Sequence, residues 1–511
     1  MAEGYDKAGS PVEEGADITG NKGPLSVVIV GGGIAGISAA RHLIKNGIRQ
    51  VKILEAMNRL GGRIHTVNGD AGKIDFGAQY IHGGEDNSLY QIAVKHDLID
   101  RSSTPTKGSV ASTFYGNEFY KENGSRIPKK IVKEVNEFLE SVHKECNGID
   151  NNTNYHESMG NCFERRFEEY LGSRDNTLED VDTRKGLFDW RMRWEMHDNG
   201  CRSLFDVASP ARYQNYTGNY FTEIKNGFQS VFSMLLKDVP CACVRTETPV
   251  TRINWENIRI CNDENREDSK ICMVETKHGE YFYCDYVIVT VPLGYLQLNI
   301  DTLFQPPLPS GKKAAILRSG FGNLVKVFLT WTKPFWEKSF EGIQFIWTSD
   351  EDIFDTQPAS TLTKKNGDPW YRDFDGFHVL EDNSCTLLGW IGGEGGCLSE
   401  RLTEGEILET CYLLLKKFAA DMDIPKPCKI QRTQWQSQEY IRGCYSYVSI
   451  YNEPNDFQEL IKPLPSKQNP VVLFAGEAMS YYHYSTTHGA YESGIDAANL
   501  VLQNVTQINR I

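Results

Sequence analysis

The hydrophobic pattern of this chain changes period several times. Val27-Val28-Ile29-Val30 is an uninterrupted β-branched run, which predicts a strand buried on both faces, as in a parallel sheet. From Ile37 to Lys45 the apolar positions recur at helical spacing, and Val51-Lys52-Ile53-Leu54 returns to a strand. Ile131, Val135, Phe138, Leu139 and Val142 form one apolar stripe across Lys129 to His143. That stripe predicts an amphipathic helix within a charged, helix-rich stretch. Asn226-Gly227-Phe228 opens a helix-like run to Leu236, and Val250 and Ile253 fall in a strand. Tyr286 to Val291 is a second continuous apolar run; Pro292 ends it, because proline lacks the donor that a ladder needs. Residues 321 to 425 hold alternating aromatic segments, which predict an antiparallel sheet. A last strand, Val471-Val472-Leu473, precedes a helix-like run from Ser493 to Leu500.

Between the first strand and the first helix stands Gly31-Gly32-Gly33-Ile34-Ala35-Gly36, and Glu55 closes the second strand. Strand, glycine turn, helix, strand and acid together make a dinucleotide-binding unit. Gly31 permits the tight turn. Gly33 lets the backbone approach a pyrophosphate at the positive end of a helix. Gly36 lets helix and strand pack closely, and Glu55 accepts from an adenosine ribose. The glycines alone would be any glycine-rich turn; the flanking elements give them meaning. Arg59-Leu60-Gly61-Gly62-Arg63 follows directly, with two glycines for a close-lying loop and two guanidinium forks for phosphate oxygens.

Composition narrows the class. The chain has 511 residues, of which 40% are hydrophobic, enough for two or three domains with large cores. A formal charge of -14 disfavours nucleic-acid binding and favours cationic ligands. Residues 1–23 read as a disordered polar tail. No secretory leader or bilayer-spanning apolar run is evident. The thirteen cysteines show no metal-ligand spacing. A cytoplasmic protein with reduced thiols, no membrane partner and no metal is the expectation. The pattern sets no oligomeric state.

Near the end, Phe474-Ala475-Gly476-Glu477 and Tyr484-Ser485-Thr486-Thr487-His488-Gly489-Ala490 complete a set of motifs. With the two glycine segments, they resemble the FAD-dependent amine oxidase superfamily, and within it the animal polyamine oxidases (spermine and N1-acetylpolyamine oxidases). The resemblance runs from about Val27 to about Leu500 and is patchy in the middle. It implies an α/β fold in which a Rossmann-like FAD-binding domain is interleaved with an α+β substrate domain, a mixed sheet flanked by helices. The implied boundaries are 24–110, 225–320 and 430–511 for FAD, and 111–224 and 321–429 for substrate. FAD is the implied cofactor, with Arg63, Val250, Glu477, Thr486 and Thr487 joining Gly31, Gly33, Gly36 and Glu55 around it.

The same resemblance assigns chemistry. Lys326, inside Val325-Lys326-Val327-Phe328-Leu329, is costly to bury without a partner; the family places a lysine here to hold a water where reduced flavin meets oxygen. A solvent-facing edge-strand lysine is the plainer reading. Tyr445 corresponds to the aromatic wall before the flavin, with simple core packing as the alternative. His82, in Tyr80-Ile81-His82-Gly83, fits the substrate tunnel, or a satisfied loop histidine. Tyr80 stands where these oxidases carry tryptophan. Cys444 stands where they carry serine; monoamine oxidases have a cysteine there bonded to flavin, so a covalent link is open beside an inert buried thiol. The segment around Tyr213 shows no acid and Glu223 is the nearest carboxylate, which leans toward acetylated substrates. The implied reaction is oxidation of a small cationic amine beside a secondary nitrogen, giving an aldehyde, a shorter amine and, with molecular oxygen, hydrogen peroxide. Oxidation of monoamines or L-amino acids is one alternative, and a non-catalytic flavin-binding interaction module is another.

Overall fold

The computed structural model describes residues 24–70, 72–99, 116–146, 157–174, 177–209, 221–256, 271–349, 362–380 and 385–508. The expected tail (1–23) and Tyr213 lie outside the described residues. The fold is mixed α/β.

Ser26–Val30 lies inside a six-stranded sheet, hydrogen-bonded in parallel to Gln50–Leu54 on one side and Tyr286–Val289 on the other. Tyr286–Val289 pairs in parallel with Pro470–Phe474, so three distant segments share one sheet. These β-branched strands are buried on both faces, which is why they read as unbroken apolar runs. The second run leaves the ladder at Val289, two residues before its apolar pattern ends: Val291 no longer pairs, and Thr290 bonds Val30 O. Helix Ile34–Lys45 packs against the final helix, Thr487–Ile508. That helix begins earlier than its apolar stripe because the Thr486 hydroxyl accepts from Gly489 N at 3.0 Å and caps it.

A second six-stranded sheet runs Lys429–Arg432, Val325–Thr330, Thr386–Ile391, Phe374–Val379, Gly342–Ile346, Glu118–Lys121. Its pairs are antiparallel except the last, which is parallel. The alternating aromatics meet the expectation of an antiparallel arrangement: Phe345, Phe374 and Phe377 are buried in its core. Val250–Asn254 pairs with Cys272–Thr276 in a smaller sheet.

The helix-rich stretch forms Lys129–Cys146, Met159–Gly172 and Leu178–Asn199. Here the reduced-thiol expectation is corrected. Helix packing brings Cys146 and Cys162 to a Cα–Cα distance of 6.7 Å, and they are joined as a disulfide. Sequence spacing gave no hint of this, because the pairing depends on how two helices cross.

Candidate functional site

A cavity of about 1120 Å³ runs from the carboxyl ends of the parallel strands to the face of the antiparallel sheet. One end is lined by the glycine turn. Gly31 has φ +113°, and a Cβ there would meet the Thr290 hydroxyl at 2.6 Å. At Gly36 a Cβ would sit 2.1 Å from Gly31 O, so helix and turn touch through this glycine. At Gly33 a Cβ would meet nothing within 4 Å. Gly33 is the N-cap of helix Ile34–Lys45, and no side chain caps it. An open face beside unsatisfied amides at a helix start is suited to an anionic phosphate group. Gly61 N donates to Gly32 O at 3.0 Å, which lays the second glycine segment directly on the first.

Glu55 is buried, and burial pushes its carboxyl above the ordinary range against the pull of amide hydrogen bonds from Met57 and Gly32. Its oxygens retain lone pairs toward the cavity. Arg63 Nη1 donates to Glu477 Oε1 at 2.9 Å and to Cys444 O at 2.6 Å. Glu477 Oε2 also accepts from Ser446 Oγ at 2.5 Å and Ser485 N at 2.9 Å. This carboxylate therefore ties together segments around residues 63, 446 and 485. Val250, Thr486 and Thr487 line the same end; the Thr486 hydroxyl is engaged with His483 O and Gly489 N.

At the other end, Lys326 sits on an interior strand between Lys429–Arg432 and Thr386–Ile391, which removes the edge-strand reading. Its Nζ donates at 2.9 Å to Asp75 O, Gly77 O and Gln79 Oε1, and lies 4.6 Å from the Trp390 ring centroid. Burial pushes its pKa down to about 8, with Asp75, Cys444 and Glu223 pulling the other way. Three acceptors around the ammonium favour the charged form near neutrality.

Tyr445 donates its hydroxyl proton to His197 O and packs over Gly200. Burial holds that phenol well above its ordinary range, so it stays protonated. Tyr80 pairs with Glu223 across a two-stranded ladder, and its ring makes an edge contact with Phe221 at 5.1 Å. His82 is half-buried on the same wall, 6.1 Å from Phe221 between ring centroids. Cys444 is buried; its Sγ lies 3.1 Å from both Leu324 N and Leu324 O, and burial pushes the thiol to about 12.

Two groupings escaped the sequence reading. Trp390, His378, His197 and Asp375 line the cavity beyond Lys326; their only trace in sequence is a histidine and an acid within the apolar run Phe374–Val379. His483, His488 and Glu492 bring ligand-type atoms within 4.8 Å of one another, a set with no recognisable spacing.

Together the uncapped glycine turn and the second glycine loop, with a buried lysine across one cavity, define a nucleotide-binding protein of the dinucleotide class. The chain belongs to the flavin containing amine oxidoreductase family, which matches residues 34–502. FAD is accordingly its cofactor. Among its relatives is the bovine (Bos taurus) peroxisomal N(1)-acetyl-spermine/spermidine oxidase, 30% identical over 501 residues and covering 93% of each chain. The human (Homo sapiens) protein of the same name is also 30% identical, covering 93% of this chain and 94% of its own. The Arabidopsis thaliana probable polyamine oxidase 5 is 28% identical, covering 94% and 98%. These relatives correct the expectation of a cytoplasmic protein: the bovine and human ones are named as peroxisomal. Among the described residues no helix is long and apolar enough to cross a membrane.

Proposed function

We propose that this protein is an FAD-dependent polyamine oxidase. It acts on a carbon next to a secondary amine and yields an aldehyde, a shorter amine and hydrogen peroxide. The relatives named as polyamine oxidases support the substrate class. The observation that carries the mechanism is Lys326, a buried ammonium on the wall of the same cavity that the glycine turn opens into. In this reading residues 24–110, 225–320 and 430–511 form a Rossmann-like FAD-binding domain, interleaved with a substrate domain of residues 111–224 and 321–429.

FAD, when bound, supplies the acceptor for the hydride equivalent and the route of electrons to oxygen. The residues to hold it are Gly31, Gly33 and the amides after Gly33 at the diphosphate, Glu55 at a ribose, and Arg63, Val250, Glu477, Thr486 and Thr487 around the remainder. Gly36 fixes the turn from behind. Lys326 keeps a positive charge where negative charge develops on oxygen. Tyr445 and Tyr80 wall the substrate channel and exclude water, and an amine held there in its neutral form has the free electron pair that oxidation requires. His82 accepts from a substrate nitrogen. The carbonyl-bound, protonated thiol of Cys444 supports non-covalent FAD.

Among the described residues the cavity wall offers the amino-acid alternative no unengaged fork for a carboxylate. Arg63 is the arginine among the described residues on the cavity wall, and Glu477 already engages it. The test is peroxide release from the holoenzyme over a panel of polyamines, acetylpolyamines, monoamines and amino acids. Turnover of polyamines is expected; turnover confined to amino acids or monoamines overturns the assignment.

A further inference from the structure

Resting on the polyamine reading, we propose that Asp375 is the seat for a second, cationic nitrogen of the substrate, so that a free distal ammonium is preferred over an acetylated end.

Asp375 is 5% exposed and lines the cavity. Its setting differs from that of its neighbour Asp373. Asp373 accepts from Lys364 Nζ at 2.8 Å and Gly395 N at 2.7 Å, and is a satisfied structural acid. Among the described residues, His197 Nδ1 lies 3.3 Å from Asp375, with neither ring nitrogen of His197 making a well-formed hydrogen bond, and the buried Arg193 and His378 also interact with its charge. The carboxylate is thus met by charge more than by well-formed hydrogen bonds, and its oxygens can still accept from a donor. A substrate ammonium entering the cavity would supply one.

The strand is shaped for this. The register between Phe374–Val379 and Thr386–Ile391 slips between Phe374 and Phe377, where Asp375 and Gly376 stand against Trp390 alone. Asp375 lies in that bulge, a device that re-aims a side chain out of the ladder. Its surroundings connect it to the reactive end. Lys326 Nζ lies 4.6 Å from the Trp390 ring centroid, and Trp390 stacks on His378 at 6.4 Å with planes 16° apart. Burial lowers the His378 pKa to about 4, so this imidazole is neutral near pH 7 and does not compete with an incoming cation. Trp390 offers a ring face along the way. The nearby Arg193 guanidinium donates to Phe345 O at 2.9 Å.

This also revises the lean toward acetylated substrates. That lean came from a missing acid around Tyr213, whereas the cavity wall carries Glu223 and Asp375. An N-acetyl group gives Asp375 no charge to pair with and leaves the carboxylate with its protein neighbours alone.

The test compares spermine with N1-acetylspermine as substrates of holoenzyme, by peroxide release and by anaerobic flavin reduction. Wild-type kcat/KM is expected to favour spermine at least about tenfold. Asp375→Asn, purified with FAD bound, is expected to erase most of that ratio, chiefly through KM for spermine; Asp375→Glu is expected to restore part of it. Wild-type preference for the acetylated substrate overturns the proposal without any variant. An Asp375→Asn enzyme whose rates fall equally on both substrates overturns it too, while leaving the polyamine reading intact. Absence of turnover on both substrates removes the polyamine reading and this one with it.

Discussion

Lys326 shows how a single residue can be half legible. Its type and neighbours were readable, and the cost of burying an ammonium made it worth attention. Its three acceptors were not, because two are carbonyls of Asp75 and Gly77 and one is the amide of Gln79, far away in sequence. Lys326→Met is expected to slow oxygen-dependent flavin reoxidation at least about tenfold and to change substrate Kd far less, measured by stopped-flow in the two half-reactions. The sign of the pH effect follows from the lowered pKa. The ammonium is charged below about 8 and loses its proton as pH rises through that value. Reoxidation of the wild type should therefore decline above about pH 8, and the decline should be absent in Lys326→Met. Cys444 yields a second prediction. A thiol held between Leu324 N and O and pushed up to about 12 is a poor nucleophile. Acid precipitation should leave the yellow flavin in the supernatant, and colour in the pellet would contradict this. Asp375 was missed outright: nothing in a sequence marks a strand residue that a register slip turns toward a cavity.

Elements were legible where one period dominated. The β-branched runs before Gly31 and Pro292 gave buried parallel strands, and the stripe through Ile131 to Val142 gave a helix. Ends were read less well, because they depend on single hydrogen bonds. The final helix gains a turn from the Thr486 cap, and Tyr286–Val289 stops short of its apolar run. Helix Glu404–Phe418 shows how much one such residue matters. Thr403 accepts from Glu406 N and donates to the Glu406 carboxylate, which in turn accepts from Thr403 N. This capping box starts a helix whose Ile407, Cys411, Leu414 and Phe418 pack beneath the antiparallel sheet. Thr403→Ala should lower stability by about 1 kcal/mol, seen as an earlier unfolding midpoint in urea, while the spermine to acetylspermine ratio stays as it was.

At the scale of the molecule, the first glycine turn and the family's chemistry could be read from motifs, since each is a contiguous string. The cavity could not, because it is a meeting of strings: Gly33, Glu223, Lys326, Tyr445 and Thr487 all line it. Net charge of -14 indicated cationic ligands only in general terms. In the proposed reading, what localises a cation is a carboxylate of the cavity lining, Asp375.

The strand that leads into Gly31 is held between Gln50–Leu54 and Tyr286–Val289, and the latter pairs with Pro470–Phe474. A ribosome must thus pass Val289 before that strand has both neighbours, and Phe474 before the next strand of the sheet is in place. Flavin capture becomes a late, largely post-translational event, and cells short of riboflavin should accumulate a full-length but loosely closed apoprotein. In cell-free synthesis, FAD added after translation should load the enzyme as fully as FAD present throughout; a strict need for FAD during elongation would count against this.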